Sequence, residues 1–170
     1  MATNIEIKAW VIDYKEAKTR IEHLVRNEPQ ILQQVDTFFQ ISTGRLKLRQ
    51  LSPSEGQLIF YQRPDQNGPT LSEYHISRTA EPETLKHVLG SALGVRGVVQ
   101  KTRLVYLVEN VRIHLDRVEG LGDFIEIEVV LDEDMGSTVG EKQAQIWIAN
   151  LGIREADLIK GAYIDLIEGN

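Results

Sequence analysis

Cysteine is missing altogether from these 170 residues. Disulfide staples, thiolate nucleophiles and Cys-ligated metals are excluded with it. An intracellular, cytoplasmic location is the expectation that fits. No apolar run approaches the ~18 residues of a transmembrane helix. The first residues, Met1-Ala2-Thr3-Asn4-Ile5-Glu6, carry neither a basic n-region nor an apolar h-region, so no secretory signal is expected. Positive charge is in the minority: 19 Lys and Arg against 25 Asp and Glu leave a net charge of −6. Bulk attraction to nucleic acid is therefore disfavoured. A polyanionic ligand would need a local basic pocket working against the global charge. No repeat, low-complexity tract or linker interrupts the chain, which reads as one domain, residues 1–170.

What is present is an apolar fraction of 42%, enough for a real core, distributed mostly in short alternating segments. The alternation predicts strands at Asn4–Trp10, Asp36–Ile41, Arg45–Leu51, Gln57–Arg63, Leu71–Thr79, Val98–Val108, Val111–Val118 and Asp123–Leu131. Turn chemistry separates several of them, at Ser42-Thr43-Gly44, Ser52-Pro53-Ser54-Glu55-Gly56, Glu109-Asn110 and Glu119-Gly120-Leu121-Gly122. Helical spacing predicts a helix from the N-cap Asp13 to Arg26, with Ala17, Ile21, Leu24 and Val25 as its stripe. Others are expected from Pro82 to Leu93, from Thr138 to Leu151, and in a shorter piece from Glu155. Eight strands joined largely by hairpins make this an α+β domain with an antiparallel sheet.

The charges repeat every second residue. Arg45, Lys47 and Arg49 share one face of their strand; so do Lys101 and Arg103, Glu126 and Glu128, and Glu6 and Lys8. Arg112, His114 and Asp116 lie opposite Val111, Ile113 and Leu115. A sheet with one wet face explains any one of these strands. The helices, however, need apolar faces to cover, and the polar faces segregate by sign. A closed antiparallel eight-stranded barrel, charged inside and flanked by helices, satisfies both, and eight strands leave room for one small ligand. Cations crowded there require an anion. Condensed phosphate suits Arg forks. The carboxylates would hold a hard cation, Mg²⁺ or Mn²⁺. Glu126 and Glu128 sit about 7 Å apart along one strand, from the strand rise.

These residues resemble the CYTH superfamily, the triphosphate tunnel metalloenzymes. The N-terminal signature Glu-x-Glu-x-Lys appears as Asn4-Ile5-Glu6-Ile7-Lys8. The segment from Asp116 to Glu128, with Gly120-Leu121-Gly122-Asp123-Phe124-Ile125-Glu126, is similar to the class IV adenylyl cyclase branch. The resemblance implies metal ligation by Glu6, Glu126 and Glu128, with Asp116 as a further ligand. It implies triphosphate binding by Lys8, Lys47, Arg49, Lys101 and Arg103, and catalytic roles for Glu6, Lys8 and Glu126. Arg45, Arg63, His114 and Lys160 are further substrate-binding candidates; Arg63 depends on strand register, since a one-residue slip flips the face. Asn4 replaces the signature's first Glu; its carbonyl oxygen can still ligate but brings no charge. Trp10 and Trp147 are expected in the core, and His23, His75 and His87 on the surface. The acidic run Asp132-Glu133-Asp134 is expected to be a solvated loop.

Three functions fit: a metal-dependent triphosphatase releasing phosphate, a class IV-type cyclase making cyclic AMP and pyrophosphate from ATP, and a noncatalytic binder of polyphosphate or nucleotide. The expected partner is a small-molecule triphosphate, with no nucleic acid and no membrane, and a homodimer is an allowed assembly.

Overall fold

The chain order of elements is β1 (Ala2–Trp10), α1 (Tyr14–Val25), β2 (Gln30–Phe39), β3 (Arg45–Ser52), β4 (Glu55–Gln62), β5 (Thr70–Thr79), α2 (Pro82–Leu93), β6 (Val95–Val108), β7 (Val111–Val118), β8 (Gly122–Leu131), α3 (Ser137–Leu151), a 3-10 turn (Glu155–Asp157) and α4 (Tyr163–Gly169). This computed structural model describes residues 2–132 and 135–169. Glu133 and Asp134 of the acidic run, expected as a solvated loop, lie outside the described residues. The strands form a closed antiparallel barrel in the order β1-β5-β4-β3-β2-β6-β7-β8, because β1 pairs with β5 on one side and β8 on the other. No helix among the described residues is long and apolar enough to cross a membrane.

Parity along the strands decides what faces in and out. Ile5, Ile7 and Ala9 of β1 point outward and are buried with Ile113, Leu115, Ile125 and Ile127 of β7 and β8. Ile21 of α1 and Ala144 and Leu151 of α3 complete that cluster. The approach of α3 is close. A Cβ at Gly140 would stand 2.6 Å from Leu131 Cδ2 and 2.9 Å from Ile5 Cγ1, so only glycine lets the helix axis come this near. The Asp13 carboxylate caps α1 by accepting the Glu16 N–H at 3.0 Å.

A second apolar cluster plugs one end of the barrel from within. Phe38, Val99, Val118 and Phe124 meet Ala162, Tyr163 and Ile164 at the start of α4. Gly97 permits this contact, since a Cβ there would meet Ile164 Cδ1 at 2.6 Å.

Three expectations are corrected. Strand β2 begins at Gln30, because the long β6 supplies it with ladder partners from Val105 back to Val95. The polar Gln30–Gln34 stretch takes β structure from its neighbour, against its own propensity. The last helix starts at Tyr163, not near Glu155. Gly161, at φ +73°, turns the chain, and the Asp165 carboxylate accepts the Ala162 N–H at 2.7 Å. Trp10, at the end of its strand, is 40% exposed and packs on Phe124 with ring centroids 4.3 Å apart. Trp147 is half-buried against the outer core, as expected. His23, His75 and His87 are exposed.

Candidate functional site

The inward faces enclose a cavity of about 260 Å³. Seven cations line it, Lys8, Lys47, Arg49, Arg63, Lys101, Arg103 and Arg112, against four carboxylates, Glu6, Asp36, Glu126 and Glu128. An excess of positive charge is thus concentrated inside a protein whose net charge is −6. That is the local basic pocket a polyanion requires.

The ladder explains how these charges tolerate one another. In register, Lys8 faces Glu126 and Glu6 faces Glu128 across β1 and β8. His114 faces Glu126 and Arg112 faces Glu128 across β7 and β8. Asp36 faces Arg49 across β2 and β3, and Arg103 faces Asp116 across β6 and β7. Most inward cations therefore have an inward carboxylate on the next strand, within reach of a cross-strand pair.

Asp36 is the hub of one half. It is 1% exposed, accepts two bonds from Arg49 at 2.8 Å each, and is 3.1 Å from Lys47 Nζ and 2.9 Å from Lys101 Nζ. Burial alone would raise its carboxyl, but Arg49, Lys101 and Lys47 outweigh that and hold it well below the usual carboxylate range. Burial pushes the Lys101 ammonium down; Asp36 opposes the shift, Arg49, Arg103 and Lys47 add to it, and the group settles at about 7. Lys47 is lowered too, again chiefly by burial and Arg49.

Glu126 is the hub of the other half. Lys8 Nζ lies 2.9 Å from its Oε1, and Arg103 donates to its Oε2. Burial would raise Glu126, but Lys8 and Arg103 carry it well below the ordinary value. Lys8 also stands 3.8 Å over the Tyr163 ring, a cation–π contact that orients it. Glu6 and Glu128 are less enclosed. Arg63 donates to Glu6 at 2.6 Å and to the Gly161 carbonyl, while Arg112 is 3.5 Å from Glu128.

Nine expected residues line this cavity: Glu6, Lys8, Lys47, Arg49, Arg63, Lys101, Arg103, Glu126 and Glu128. Arg63 has the inward parity of Gln57, Ile59 and Tyr61, and Gln62 is exposed. Four expected residues do not line it. Arg45 sits at the strand end, where Asp65 at 2.9 Å and Asp165 at 2.7 Å hold its guanidinium. Lys160 is exposed in the segment before α4. Asp116 is fully buried on the inward face, covered by Arg103 and Tyr163. Arg103 binds both its oxygens, at 2.7 and 2.5 Å, and the Tyr163 hydroxyl donates to it at 2.8 Å, so it positions Arg103. His114 is buried beside the two glutamates. Sequence reasoning missed Asp36 altogether as a site residue, and it placed Tyr163 near the closing end of the tunnel without giving it a role. It noted Arg112 on the charged face without giving it a role.

The donor set fits a divalent cation. Among the described residues, His114, Glu126 and Glu128 offer ligand atoms within 4.8 Å of one another. Two buried atoms of the inward face, Asn4 Oδ1 and His114 Nδ1, make no hydrogen bond. Asn4 stands where the signature has its first Glu, and its idle carbonyl faces the same interior.

The fold is shared with solved structures. The PH1012 protein of Pyrococcus horikoshii OT3 superposes with a TM-score of 0.85 at 27% identity, covering 96% of this chain and 98% of that one. A putative adenylate cyclase from Vibrio parahaemolyticus superposes at 0.77 with 16% identity, covering 97% of both chains. A putative adenylyl cyclase from Hippeastrum, HpAC1, described as having a dominant triphosphatase activity, superposes at 0.67 with 15% identity, covering 95% of this chain and 91% of its own. No curated protein sequence matches. The CYTH domain model matches residues 2–163, nearly the whole chain. With a closed barrel gathering cations and carboxylates on one inner wall, the chain belongs to the CYTH domain family.

Proposed function

We propose that the protein is a divalent-metal-dependent triphosphatase, converting a triphosphate and water to a diphosphate and orthophosphate. The observation that carries this reading is the enclosed wall of seven cations beside Glu6, Glu126 and Glu128. Triphosphate chemistry asks mostly for positioning and charge neutralisation, which fixed cations in a buried site supply.

Lys47, Arg49 and Lys101 around Asp36, and Lys8, Arg63 and Arg103 around Glu126 and Glu6, would bind a chain of phosphates along the tunnel. Glu126 and Asp116 fix the Arg103 fork, and Asp36 fixes Arg49. Glu126, Glu128 and His114, with Glu6 beside them, would hold Mg²⁺ or Mn²⁺, which supplies Lewis-acid relief of charge on the phosphoryl oxygens. Glu6 and Glu128 face each other across the ladder and are the least enclosed of the acids. They are the groups available to orient an attacking water and accept its proton. The cavity volume, about 260 Å³, sits below the ~300–1,000 Å³ usual for small-molecule sites and favours a compact substrate.

Incubation with tripolyphosphate, ATP and thiamine triphosphate, with Mg²⁺ or Mn²⁺, tests the assignment. Orthophosphate release supports it. Cyclic AMP with pyrophosphate would replace it with cyclisation, and tight binding without turnover would replace it with a binding role.

A further inference from the structure

We infer that the mouth of the tunnel carries an uncharged subsite, built from Ile59, Tyr74 and Ile76 with the Asn4 carboxamide beside them, and that it takes the heteroaromatic group of an organic triphosphate. The inference names the substrate class of the site above and rests on the triphosphate reading for the phosphates.

The tunnel wall is not charged all round. Strand β5 lines the cavity with Ser72, Tyr74 and Ile76, all neutral, and β4 brings a single charge, Arg63. The other six strands supply every other charge on the wall. In the β4–β5 ladder Ile59 lies directly opposite Ile76, and Tyr61 opposite Tyr74. Inward residues two apart share a face, so the four side chains form one continuous patch, about 5 Å across the ladder and about 7 Å along it between Cβ positions. That area suits one heteroaromatic ring system. Tyr61, at the inner edge, has Lys47 Nζ 5.5 Å from its ring centre, so the neutral patch begins where the cations end.

The patch runs out to solvent. Strand β5 is antiparallel to β1: Ser72 pairs with Asn4 and Tyr74 with Ala2, so Ile76 lies beyond the first residue of β1. Lys8, near the other end of β1, stands over Tyr163 in the plug. Ile76 is accordingly 50% exposed although it lines the cavity, and Tyr74 is half-buried. The plug closes the far end. A triphosphate ester therefore enters with its terminal phosphate innermost among the cations, and the esterified group comes to rest on the patch at the mouth. The enclosed volume then has to hold only the phosphates.

An inorganic chain has no use for this wall. Phosphate oxygens set against Ile59 and Ile76 would lose water without gaining a partner. A flat ring gains there, because it covers the exposed Ile76 and stacks on the Tyr74 phenol. Asn4 adds a polar mark. It is 4% exposed, it lines the cavity, and its Oδ1 makes no hydrogen bond. Buried acceptors are almost always paired. An ionised phosphate oxygen only accepts and cannot fill that role, whereas a hydroxyl or amine of the organic group can donate to it.

Competition titration with ATP, thiamine triphosphate and methyl triphosphate, the last an ester without a ring, tests the subsite. With the same divalent cation, the better of the two aromatic esters should bind at least roughly tenfold more tightly than methyl triphosphate. Tyr74→Ala should weaken that ester by about 5- to 100-fold and move methyl triphosphate less than about threefold, and Tyr74→Phe, which keeps the ring, should restore the difference. The β,γ-methylene analogue of that ester, bound to the wild type, should show a nuclear Overhauser effect between its ring protons and the Ile76 δ-methyl group. That measurement needs no variant, so it stands even if Tyr74→Ala does not fold. Equal affinities for methyl triphosphate and both aromatic esters overturn this inference and leave the triphosphatase reading intact. Tighter binding of an aromatic ester that ignores Tyr74→Ala and makes no contact with Ile76 overturns it as well. No binding of any triphosphate overturns both.

Discussion

Replacing Asp36 with Asn removes the single anion shared by Lys47, Arg49 and Lys101. The shape is kept, so the change is electrostatic. Removing one partner from a buried ion network typically costs 3–5 kcal/mol, because the remaining charges are left uncompensated. At pH 8 Lys101, lowered to about 7, is already largely neutral, and Lys47, also lowered, can release its proton to relieve the strain. The loss at pH 8 should therefore fall near the lower bound, about 3 kcal/mol. In a domain of this size that corresponds to a melting temperature lower by roughly 6–12 °C. Ligand affinity should move the other way. A phosphate oxygen on Lys47 would lie roughly 5 Å from Asp36, two hydrogen-bond lengths away. At an effective dielectric of about 20, that repulsion is about 3 kcal/mol. Asp36→Asn should then bind tripolyphosphate at least tenfold more tightly, so saturating ligand should raise its melting temperature by more than it raises the wild type's. Calorimetric titration and thermal unfolding, each with and without tripolyphosphate, measure both effects. A variant as stable as the wild type, or one with unchanged tripolyphosphate affinity, would falsify the assignment of Asp36 as the internal counter-ion.

Three other outcomes are expected. Lys101 loses its proton as pH rises through about 7, so tripolyphosphate affinity should weaken between pH 6 and 9; Lys101→Met should bind more weakly and show a flatter profile in the same titration. The carboxyls of Asp36, Asp116 and Glu126 are all depressed in the folded protein, so their stabilisation is present above the unfolded values near ~4 and is lost as pH falls through the folded ones. Urea unfolding should give a steep fall below pH 4 and a plateau between about pH 5 and 7, above which the depressed Lys101 adds stability as pH rises; a loss of stability beginning at pH 6 would contradict this. Gly140→Ala should cost about 1–3 kcal/mol, since its Cβ would overlap Leu131 and Ile5 beneath α3. Phosphate release per folded molecule should not change.

The strands were legible because burial imposes a period of two, and the barrel because two sets of faces, one apolar and one charged, both needed cover. The boundaries were less so. Gln30 to Gln34 carries no strand pattern, and only pairing with β6 makes it one. The cations of the site were visible as repeats. Asp36 was not, since it is a lone acid in an aromatic strand. Its partners come from β3 and β6, the farthest of them 65 positions away. Its signal was a deficit: three inward cations on β3 and β6 with no acid of their own, beside one strand whose inward residue is Asp. Arg45 and Lys160 mark the opposite error. Parity carried Arg45 onto the charged face, but the barrel ends there and surface acids hold it. Lys160 precedes a helix whose start is set by Gly161 and Asp165.

The pairing of opposite charges on one wall has a thermodynamic consequence. Within the tunnel the carboxylates hold the cations: Glu126 holds Lys8 and Arg103, Glu6 holds Arg63, and Asp36 holds three more. A divalent cation competes for the carboxylates, and a phosphate chain competes for the cations. Either one alone strips partners from the other set and leaves buried charges less compensated. Together they satisfy both sets, cation on acid and phosphate on base. On the proposed function the two would bind with positive coupling, and by linkage each would strengthen the other by the same factor. An acidic protein can keep so basic a cavity folded because the wall carries its own counter-ions, and on the proposed function a triphosphate with its metal is the pair that would replace them at once.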